Sequence, residues 1–535
     1  MLSHVEADTS RPVIDTTIGS ILAAAAASAP GREAMVVGAV DDRRRWTYDA
    51  LYGEAQAVAG ALASRFDVGE RLALFGPSLP EAVILSYGAA MAGLVLVPFN
   101  PVLRPAEARH ILASSGAAGV FVIDAYRDNR PREIVESLRA DLPSLREVLR
   151  FEDWAAFSHS GQASPGRPGP APDDIAQIIF TSGTTGAPKG ARLTHRGMTN
   201  AARFGGERFG LGAGDVYVNN MPMFHVGGQE VAFAICQAQA TNVSVPAFEP
   251  GLVLALYEAE RATHTVAVPT MLVAMIDHPD FARRDLSALH SISSGGAVVP
   301  PELIRHIEST LGSQITVVFG QTECCGYISQ SELDDEAEVK AVSLGHPLPQ
   351  IEARVADPVS GALVDLGEVG ELQVRGFNVM RGYHDLPEAT AATLVDGGWL
   401  RTGDLVTMDE RGYLRIAGRL KEMIISGGEN IFPVEVEGVL ASHHSVAQAA
   451  VIGVPDRRWG EAAVAVVRPA PGGRLDTAEL EQWARERLAG YKIPKGWVVV
   501  EQMPMTAMGK VQKFLLSQRL SPENGLDTSR AADKL

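Results

Sequence analysis

Helical and strand-like segments alternate along most of this chain, and this alternation constrains the fold more than any other feature. Helical spacing over residues 49–66 is followed by the apolar run RLALFG at residues 71–76. The same order recurs within residues 255–270 and again within residues 302–320. Such alternation predicts an α/β protein with largely parallel sheets, whose reactive residues lie in loops at the strand ends.

The pattern changes near residues 418–421. Beyond this point we predict a smaller α+β unit that includes a helix beginning with a capping pattern at Asp476. Its other predicted elements are a helix at 433–443 and strands at 448–454, 462–467 and 496–501. We therefore predict two domains, residues 1–418 and residues 419–535.

The net charge of -17 excludes the simplest nucleic-acid and membrane-surface functions. A surface with this charge repels nucleic acid and anionic lipid. A polyphosphate ligand must therefore be held by a local site rather than by the overall charge.

The three cysteines indicate a reducing compartment. Cys236, Cys324 and Cys325 are too few for a disulfide framework and lack zinc-site spacing. The first twelve residues lack the basic-then-apolar order of a signal peptide. The longest uncharged run, residues 82–97, is shorter than the roughly 18 residues of a membrane helix, so we interpret it as a buried helix leading into a strand. The expectation is a cytoplasmic protein without a transmembrane segment.

The stretch TSGTTGAPKG, residues 181–190, has the composition of a phosphate-binding loop. A P-loop requires glycine before its lysine, serine or threonine after it, and a helix that follows at once. Here Pro188 and Gly190 flank Lys189, a strand-like segment follows, and the next helix is capped at Thr194. A P-loop ATPase is therefore excluded.

The same loop still predicts an anion site, because glycines allow close backbone approach and the hydroxyls and lysine supply donors. The predicted phosphate contacts are Thr181, Ser182, Gly183, Thr184, Thr185, Gly186 and Lys189.

With further motifs in the same order, the chain resembles the adenylate-forming enzymes, which include acyl-CoA synthetases, firefly-type luciferases and peptide-synthetase adenylation domains. The motifs after the loop are MPMFHVGG (221–228), FGQTE (319–323), LRTGD (400–404), GRLKEMIISGGENIFPVEVE (418–437) and PMTAMGK (504–510). The resemblance implies a large N-terminal α/β domain with stacked sheets and a small, mobile C-terminal α+β domain.

The reaction that the resemblance implies joins a carboxylate to the α-phosphate of ATP and then transfers the acyl group to CoA. Two anions meet in the first step, so positive charge and orientation matter more than an acid or base. Lys510 matches the lysine that bridges the carboxylate and the α-phosphate. Glu323, with Thr184 nearby, matches the Mg²⁺ site, and these three residues are the implied catalytic and metal-binding set.

The resemblance also implies the nucleotide contacts. Phe319 should stack on adenine, Asp404 should accept hydrogen bonds from the ribose hydroxyls, and Arg419 should meet ribose or phosphate. Further implied contacts are Gly295, Gly296, Ala297, Gly320, Gln321 and Thr322.

The implied acyl pocket and CoA path lie on other motifs. His225 is expected as a pocket wall rather than a base, and the remaining acyl contacts are Val226, Gly227, Gly320 and Tyr327. Gly427 and Gly428 should line the path of the CoA thiol. Lys421 falls at the hinge position about which the C-terminal domain rotates.

These motifs do not identify the acyl substrate. The acyl motif carries no acid until Glu230, which argues against an α-amino acid. We expect a fatty acid, with a benzoate- or cinnamate-type aryl acid as the alternative. An acyl-adenylate ligase that loads a carrier protein, an inactive binding module and a homodimer are also kept open.

Overall fold

The computed structural model describes residues 1–161, 169–181, 188–297, 299–470, 475–505 and 511–520. The helices are α1 (Ile18–Ser28), α2 (Tyr48–Ala63), α3 (Pro80–Met91), α4 (Pro105–Ser115), α5 (Pro131–Leu138), α6 (Trp154–Ser158), α7 (His195–Arg208), α8 (Val226–Ala238), α9 (Pro250–Ala259), α10 (Pro269–Ile276), α11 (Pro301–Leu311), α12 (Ala337–Val342), α13 (Pro387–Thr393), α14 (Pro433–Ala441), α15 (Thr477–Arg485) and α16 (Lys513–Arg519).

The strands are β1 (His4–Val5), β2 (Glu33–Ala39), β3 (Asp42–Thr47), β4 (Arg71–Phe75), β5 (Val95–Phe99), β6 (Gly119–Val122), β7 (Glu147–Arg150), β8 (Ile175–Thr181), β9 (Lys189–Thr194), β10 (Val216–Asn219), β11 (Thr241–Ser244), β12 (His264–Val266), β13 (Ser291–Gly295), β14 (Gln314–Phe319), β15 (Ser329–Gln330), β16 (His346–Pro347), β17 (Ile351–Ala356), β18 (Gly370–Gly376), β19 (Leu394–Val395), β20 (Trp399–Met408), β21 (Leu414–Arg419), β22 (Ile424–Ser426), β23 (Glu429–Ile431), β24 (Val446–Asp456), β25 (Gly460–Pro469) and β26 (Gly496–Val499).

Two of the sheets are largely parallel, as the alternation predicts. One has the order β7-β6-β4-β5-β8-β9, with only its last pair antiparallel. The larger sheet has the order β16-β15-β14-β13-β12-β10-β11-β2-β3 and is parallel from β14 to β2. Helices α1, α2, α3, α7 and α8 share one buried core with both sheets, so the predicted fold of stacked sheets and helices is confirmed.

The other two sheets follow the predicted change of pattern. An antiparallel sheet of β1, β17, β18, β19, β20 and β21 contributes to the same core. A fourth sheet contains β22 to β26, with α14 and α15 covering one face and α16 the other. The chain leaves the third sheet at Arg419 and enters the fourth at Ile424, and the division into units 1–418 and 419–535 stays a prediction.

One of two local expectations differs in detail from the structure. The strand predicted within residues 264–270 ends at Val266, because Pro269 starts α10 as its first residue. The uncharged run 82–97 forms most of α3, followed by β5, as predicted. No described helix is both long and apolar enough to cross a bilayer.

Candidate active site

Several motif residues lie at one edge of the large parallel sheet. Gly295, Gly296 and Ala297 end or follow β13, while residues 319–323 end or follow β14, its neighbour in the sheet. The acyl motif follows β10 in the same sheet. The carboxyl ends of parallel strands meet along one edge, where ligands of such sheets bind.

The phosphate loop joins an antiparallel hairpin. Thr181 on β8 pairs with Lys189 on β9, and its Oγ1 donates to the Lys189 carbonyl at 3.4 Å. Strand β9 leads into α7, where Thr194 Oγ1 accepts from the Gly197 N–H at 3.0 Å. A strand rather than a helix therefore follows the lysine, as predicted. Ser182, Gly183, Thr184, Thr185 and Gly186 lie outside the described residues.

Tyr383 connects this hairpin to Glu323. Its hydroxyl donates to Glu323 Oε1 at 2.8 Å, and Lys189 Nζ lies 5.0 Å from the centre of its ring. Burial and the neighbouring carboxylate raise the pKa of the Tyr383 phenol, which keeps it protonated as a donor. The chain also pairs with β9 here, since the His384 N–H donates to the Gly190 carbonyl at 2.8 Å.

The sequence reasoning missed Tyr383. The available signal was RGYHD at residues 381–385, one aromatic residue beside glycine in a polar stretch. The contact joins residues that are 60 positions apart, which no local pattern reveals.

The turn that carries Glu323 is held by backbone contacts. A β-carbon at Gly320 would lie 2.0 Å from the Gly326 carbonyl oxygen, so only glycine fits there. The Gln321 carbonyl accepts from the N–H groups of Cys324 and Gly326, both at 3.0 Å. Thr322 is buried, whereas Phe319 is only partly buried at the sheet edge. Glu323 is thus presented on a fixed turn.

The two glycines at the end of β13, Gly295 within the strand and Gly296 after it, differ from one another. A β-carbon at Gly295 would lie 2.2 Å from the Val318 carbonyl oxygen, so this glycine allows β13 and β14 to approach. Gly296 has φ +73 and is exposed, as is Ala297. Exposed backbone at this edge is available to a ligand.

The acyl motif turns directly into α8. His225 caps this helix, because its Nδ1 accepts from the Gly227 N–H at 3.1 Å. That nitrogen is therefore occupied, which supports a wall rather than a base. Val226 is buried, and Gly227 is partly exposed next to the ring.

Tyr327 packs against α7 and shares a cavity with α8, the helix that begins in the acyl motif. A β-carbon at Gly205 would lie 2.6 Å from its Cε1, so glycine makes room for the ring. A cavity beside it has room for about one water molecule. Its lining residues are Gly205, Gly206, Phe209, Leu211, Tyr217, Val231, Ala234, Ser293, Tyr327 and Gln330.

Asp404 and Arg419 are brought together by strand pairing. They face each other on β20 and β21, and Arg419 Nε donates to Asp404 Oδ1 at 3.0 Å. Asp404 is buried and Arg419 is exposed. The pair offers a carboxylate and a cation side by side.

The C-terminal motifs are described in part. Gly427 and Gly428 form the two-residue turn between β22 and β23, with φ values of +63 and +89 that favour glycine. Lys421 is exposed in a 3-10 turn, Leu420–Glu422. Lys510 lies outside the described residues.

The carboxylate of Glu323 has the surroundings expected of a Mg²⁺ ligand. Oε1 is oriented by Tyr383, and among the described residues no group donates to Oε2. Mg²⁺ typically takes one or two carboxylates, with water and substrate phosphates completing its shell. The described residues hold no cluster of three His, Cys, Asp or Glu that could bind a metal by itself. Glu323 is thus suited to a metal that arrives with a nucleotide.

Comparison with known proteins agrees with this architecture. Residues 22–384 match the family described as AMP-binding enzyme, and residues 435–510 match its C-terminal domain. The feruloyl-CoA synthase of Amycolatopsis sp is 39% identical, with 88% of this chain and 94% of that protein covered. The mitochondrial medium-chain acyl-CoA ligase ACSF2 of Rattus norvegicus is 32% identical, with 97% and 90% covered. The ATP-bound structure of MatB from Rhodopseudomonas palustris superposes with a TM-score of 0.87 at 28% identity, covering 94% of this chain and 99% of that one.

The chain belongs to the AMP-binding, adenylate-forming enzymes. Within them it is an AMP-forming acid–CoA ligase, which uses ATP, Mg²⁺ and CoA.

Proposed function

We propose that this ligase activates a compact, ring-bearing carboxylic acid of the benzoate or cinnamate type. The observation that carries the proposal is Tyr327, whose ring packs against Gly205 of α7. The cavity beside this ring is also lined by Val231 and Ala234 of α8, the helix that begins in the acyl motif. This cavity has room for about one water molecule. A long alkyl chain needs a continuous channel at this position.

The rings that line the cavity would limit the depth of the acyl pocket rather than receive the substrate, because the cavity itself admits about one water molecule. Phe209, Tyr217 and Tyr327 contribute three rings to this wall, which leaves no room for a long chain to pass. The similarity to a feruloyl-CoA synthase points to the same class. The fatty acid expected from the sequence stays a prediction, and the relative that acts on medium-chain acids keeps it as the rival.

The chemistry proceeds in two steps. A carboxylate oxygen of the acid attacks the α-phosphorus of ATP, and the bond to the β-phosphate oxygen breaks to release pyrophosphate. The CoA thiolate then attacks the acyl carbon, and the acyl–oxygen bond breaks to release AMP.

Each proposed residue has one task in these steps. Lys189 and the phosphate loop hold the leaving pyrophosphate, and Lys510 neutralises the two anions that meet at the α-phosphate. Glu323 and the hydroxyl of Thr184 would hold Mg²⁺, which would supply neutralisation of phosphate charge when bound with ATP. Asp404 and Arg419 hold the ribose, and Phe319 stacks on adenine.

The experiment is a panel of acids with the purified full-length protein. Benzoates, cinnamates and straight-chain acids from C2 to C18 are each assayed for ATP-dependent pyrophosphate release and for the CoA thioester. We expect kcat/KM for one or more aryl acids to exceed that for every straight-chain acid by about tenfold or more. A straight-chain acid as the best substrate would refute the proposal and support the fatty-acid prediction.

The same panel detects a carrier-protein ligase or an inactive binding module. Pyrophosphate release without a CoA thioester would favour an enzyme that loads a carrier protein. Absence of pyrophosphate release with every acid would favour an inactive binding module.

A homodimer and a cytoplasmic location are further proposals. Light scattering of the purified protein checks the first, and fractionation of the host cell checks the second.

A further inference from the structure

A buried cluster of three charges joins separate parts of the C-terminal region. Lys513 Nζ lies 2.6 Å from Glu422 Oε2 and 2.8 Å from Glu437 Oε1. About four-fifths of each of the three side chains is shielded from solvent. Burial alone lowers the pKa of Lys513, but the carboxylates of Glu437 and Glu422 raise it above its ordinary value, so the ammonium stays charged.

Each member of the cluster belongs to a different element. Glu422 directly follows Lys421 and ends the 3-10 turn Leu420–Glu422. Glu437 lies in α14 and is itself held, because its Oε1 accepts from the Val451 N–H of β24 at 2.7 Å. Lys513 is the first residue of α16. The ammonium therefore connects the segment after the hinge position to the central sheet of the C-terminal region.

Helix α16 begins three residues after the last motif, PMTAMGK, ends. Met505 and Val511 form an antiparallel bridge, and the Gln512 N–H donates to the Pro504 carbonyl at 2.7 Å. The backbone on the two sides of the motif is thus paired up to Gln512, the residue before Lys513. We call these paired residues, 504–505 and 511–512, the base of the motif. Because Lys513 follows the base directly, the position of Lys513 sets the orientation of the base.

We infer that Lys513 is a positioning residue for acyl-adenylate formation, because it fixes the base of the PMTAMGK motif against the segment that follows the hinge. The inference rests on the proposed role of Lys510 in that motif. Lys513 touches neither substrate nor reacting atoms in this role.

The two half-reactions should respond differently to its loss. Acyl-adenylate formation needs the PMTAMGK base correctly placed, and a displacement of about 1 Å in an active site can cost on the order of 100-fold in rate. The Gly427–Gly428 turn proposed for the CoA step is held elsewhere, since the Gly427 N–H donates to the Trp459 carbonyl at 2.7 Å. Thioester formation should therefore be spared.

The test compares Lys513→Met with Lys492→Met. Lys492 is a matched control, because its Nζ lies 2.6 Å from Oε1 of Glu435, which lies in α14 as Glu437 does. The two lysine side chains are also similarly buried, with 18% of Lys492 and 20% of Lys513 exposed. Pyrophosphate release from ATP and acid reports the first half-reaction. Thioester formed from supplied acyl-adenylate and CoA reports the second.

We expect Lys513→Met to slow the first half-reaction roughly 10- to 100-fold and the second less than about threefold. Lys513→Arg should recover most of the first rate, and Glu422→Gln should reproduce the selective loss. Lys492→Met should leave the ratio of the two rates unchanged.

Equal losses in both half-reactions, or the same ratio for Lys513→Met and Lys492→Met, would overturn the inference. If Lys513→Met does not fold, the ratio of the two half-reaction rates is measured in Glu422→Gln instead, and an unchanged ratio there would overturn the inference. Absence of pyrophosphate release by the unmodified protein would instead refute the proposed function.

Discussion

The Tyr383 hydroxyl donates a hydrogen bond of 2.8 Å to Oε1 of Glu323. The ring of the same tyrosine lies beneath Lys189, which begins β9 after the phosphate loop. One side chain thus touches both the predicted metal-binding carboxylate and the lysine of the phosphate loop. Tyr383 is therefore placed to fix their separation before ATP binds.

Tyr383→Phe removes this hydrogen bond and keeps the ring. We expect pyrophosphate release to slow by about tenfold, since a hydrogen bond to a charged group contributes roughly 1.5–3 kcal/mol. The Mg²⁺ concentration for half-maximal rate should rise, because Glu323 loses its orientation. Steady-state assays over a Mg²⁺ titration measure both effects.

Tyr413→Phe is the control for that substitution. Tyr413 makes the same kind of bond, to Asp335 Oδ1 at 2.7 Å, outside the candidate site. Tyr413→Phe should leave the Mg²⁺ concentration for half-maximal rate unchanged. Equal Mg²⁺ responses in the two variants would contradict the role given to Tyr383.

Two glycine substitutions in helices should have opposite effects. Gly205→Ala places a β-carbon 2.6 Å from Tyr327 Cε1, so the ring must move, at a cost of about 1–3 kcal/mol in stability. Gly53 in α2 is exposed with nothing within 4 Å of an added β-carbon, so Gly53→Ala should stabilise by roughly 0.5–1 kcal/mol.

Melting temperatures and the acid panel measure both variants. Gly205→Ala should melt lower and change the ranking of acids, because Tyr327 lines the cavity. Gly53→Ala should melt higher with the ranking unchanged. An unchanged ranking in Gly205→Ala would argue against Tyr327 as a determinant of specificity.

Local signals in the sequence predicted local structure well. The cap at Thr194, the cap at Asp476 and the helix and strand within residues 82–97 are all present. These features depend on side chains only a few positions apart. The family resemblance supplied the order of the motifs, and the sheet edge explains why several of them meet.

Pairing between distant segments was not predictable in the same way. β1 at His4–Val5 pairs with β17 at Ala353–Arg354, and a two-residue strand carries no periodic signal. Tyr383 reaches Glu323 through a similar long-range pairing beside β9. The roles of Ser182 to Gly186 and of Lys510 stay predictions, because these residues lie outside the described ones.

His195 should make the protein sensitive to acid. It is 1% exposed at the start of α7, and burial lowers its pKa to about 4 from 6.5. The unfolded chain therefore binds a proton more readily than the folded one as pH falls below 6.5. Stability is complete near pH 7 and is lost towards pH 4, by on the order of 3 kcal/mol.

His195→Asn removes this proton site and keeps an acceptor near the Ile18 N–H, which donates to His195 Nδ1 at 3.4 Å. Urea unfolding should show a smaller loss of stability between pH 7 and pH 4.5 than in the unmodified protein. The exposed His306 provides the control, since His306→Asn should leave that loss as it was. Parallel pH curves for all three proteins would contradict the prediction.

Glu230 should have the opposite pH dependence. It lies within α8 with 0% exposure, and neither carboxyl oxygen has a hydrogen-bond partner among the described residues. Burial raises its pKa well above 4.5, with a smaller opposing effect from the backbone of Ala202. The folded state thus holds a proton that the unfolded chain releases above pH 4.5, so stability is lost as pH rises through the neutral range.

Glu230→Gln cannot ionise, so its stability should lack this loss. Relative to the unmodified protein, it should be similar at pH 4.5 and more stable at pH 8, with a melting temperature a few degrees higher because an ionisable buried group is absent. Glu388→Gln on exposed α13 serves as the control and should follow the unmodified protein at both pH values. If the difference between Glu230→Gln and the unmodified protein stays constant from pH 4.5 to pH 8, Glu230 is not the buried neutral acid that its surroundings require.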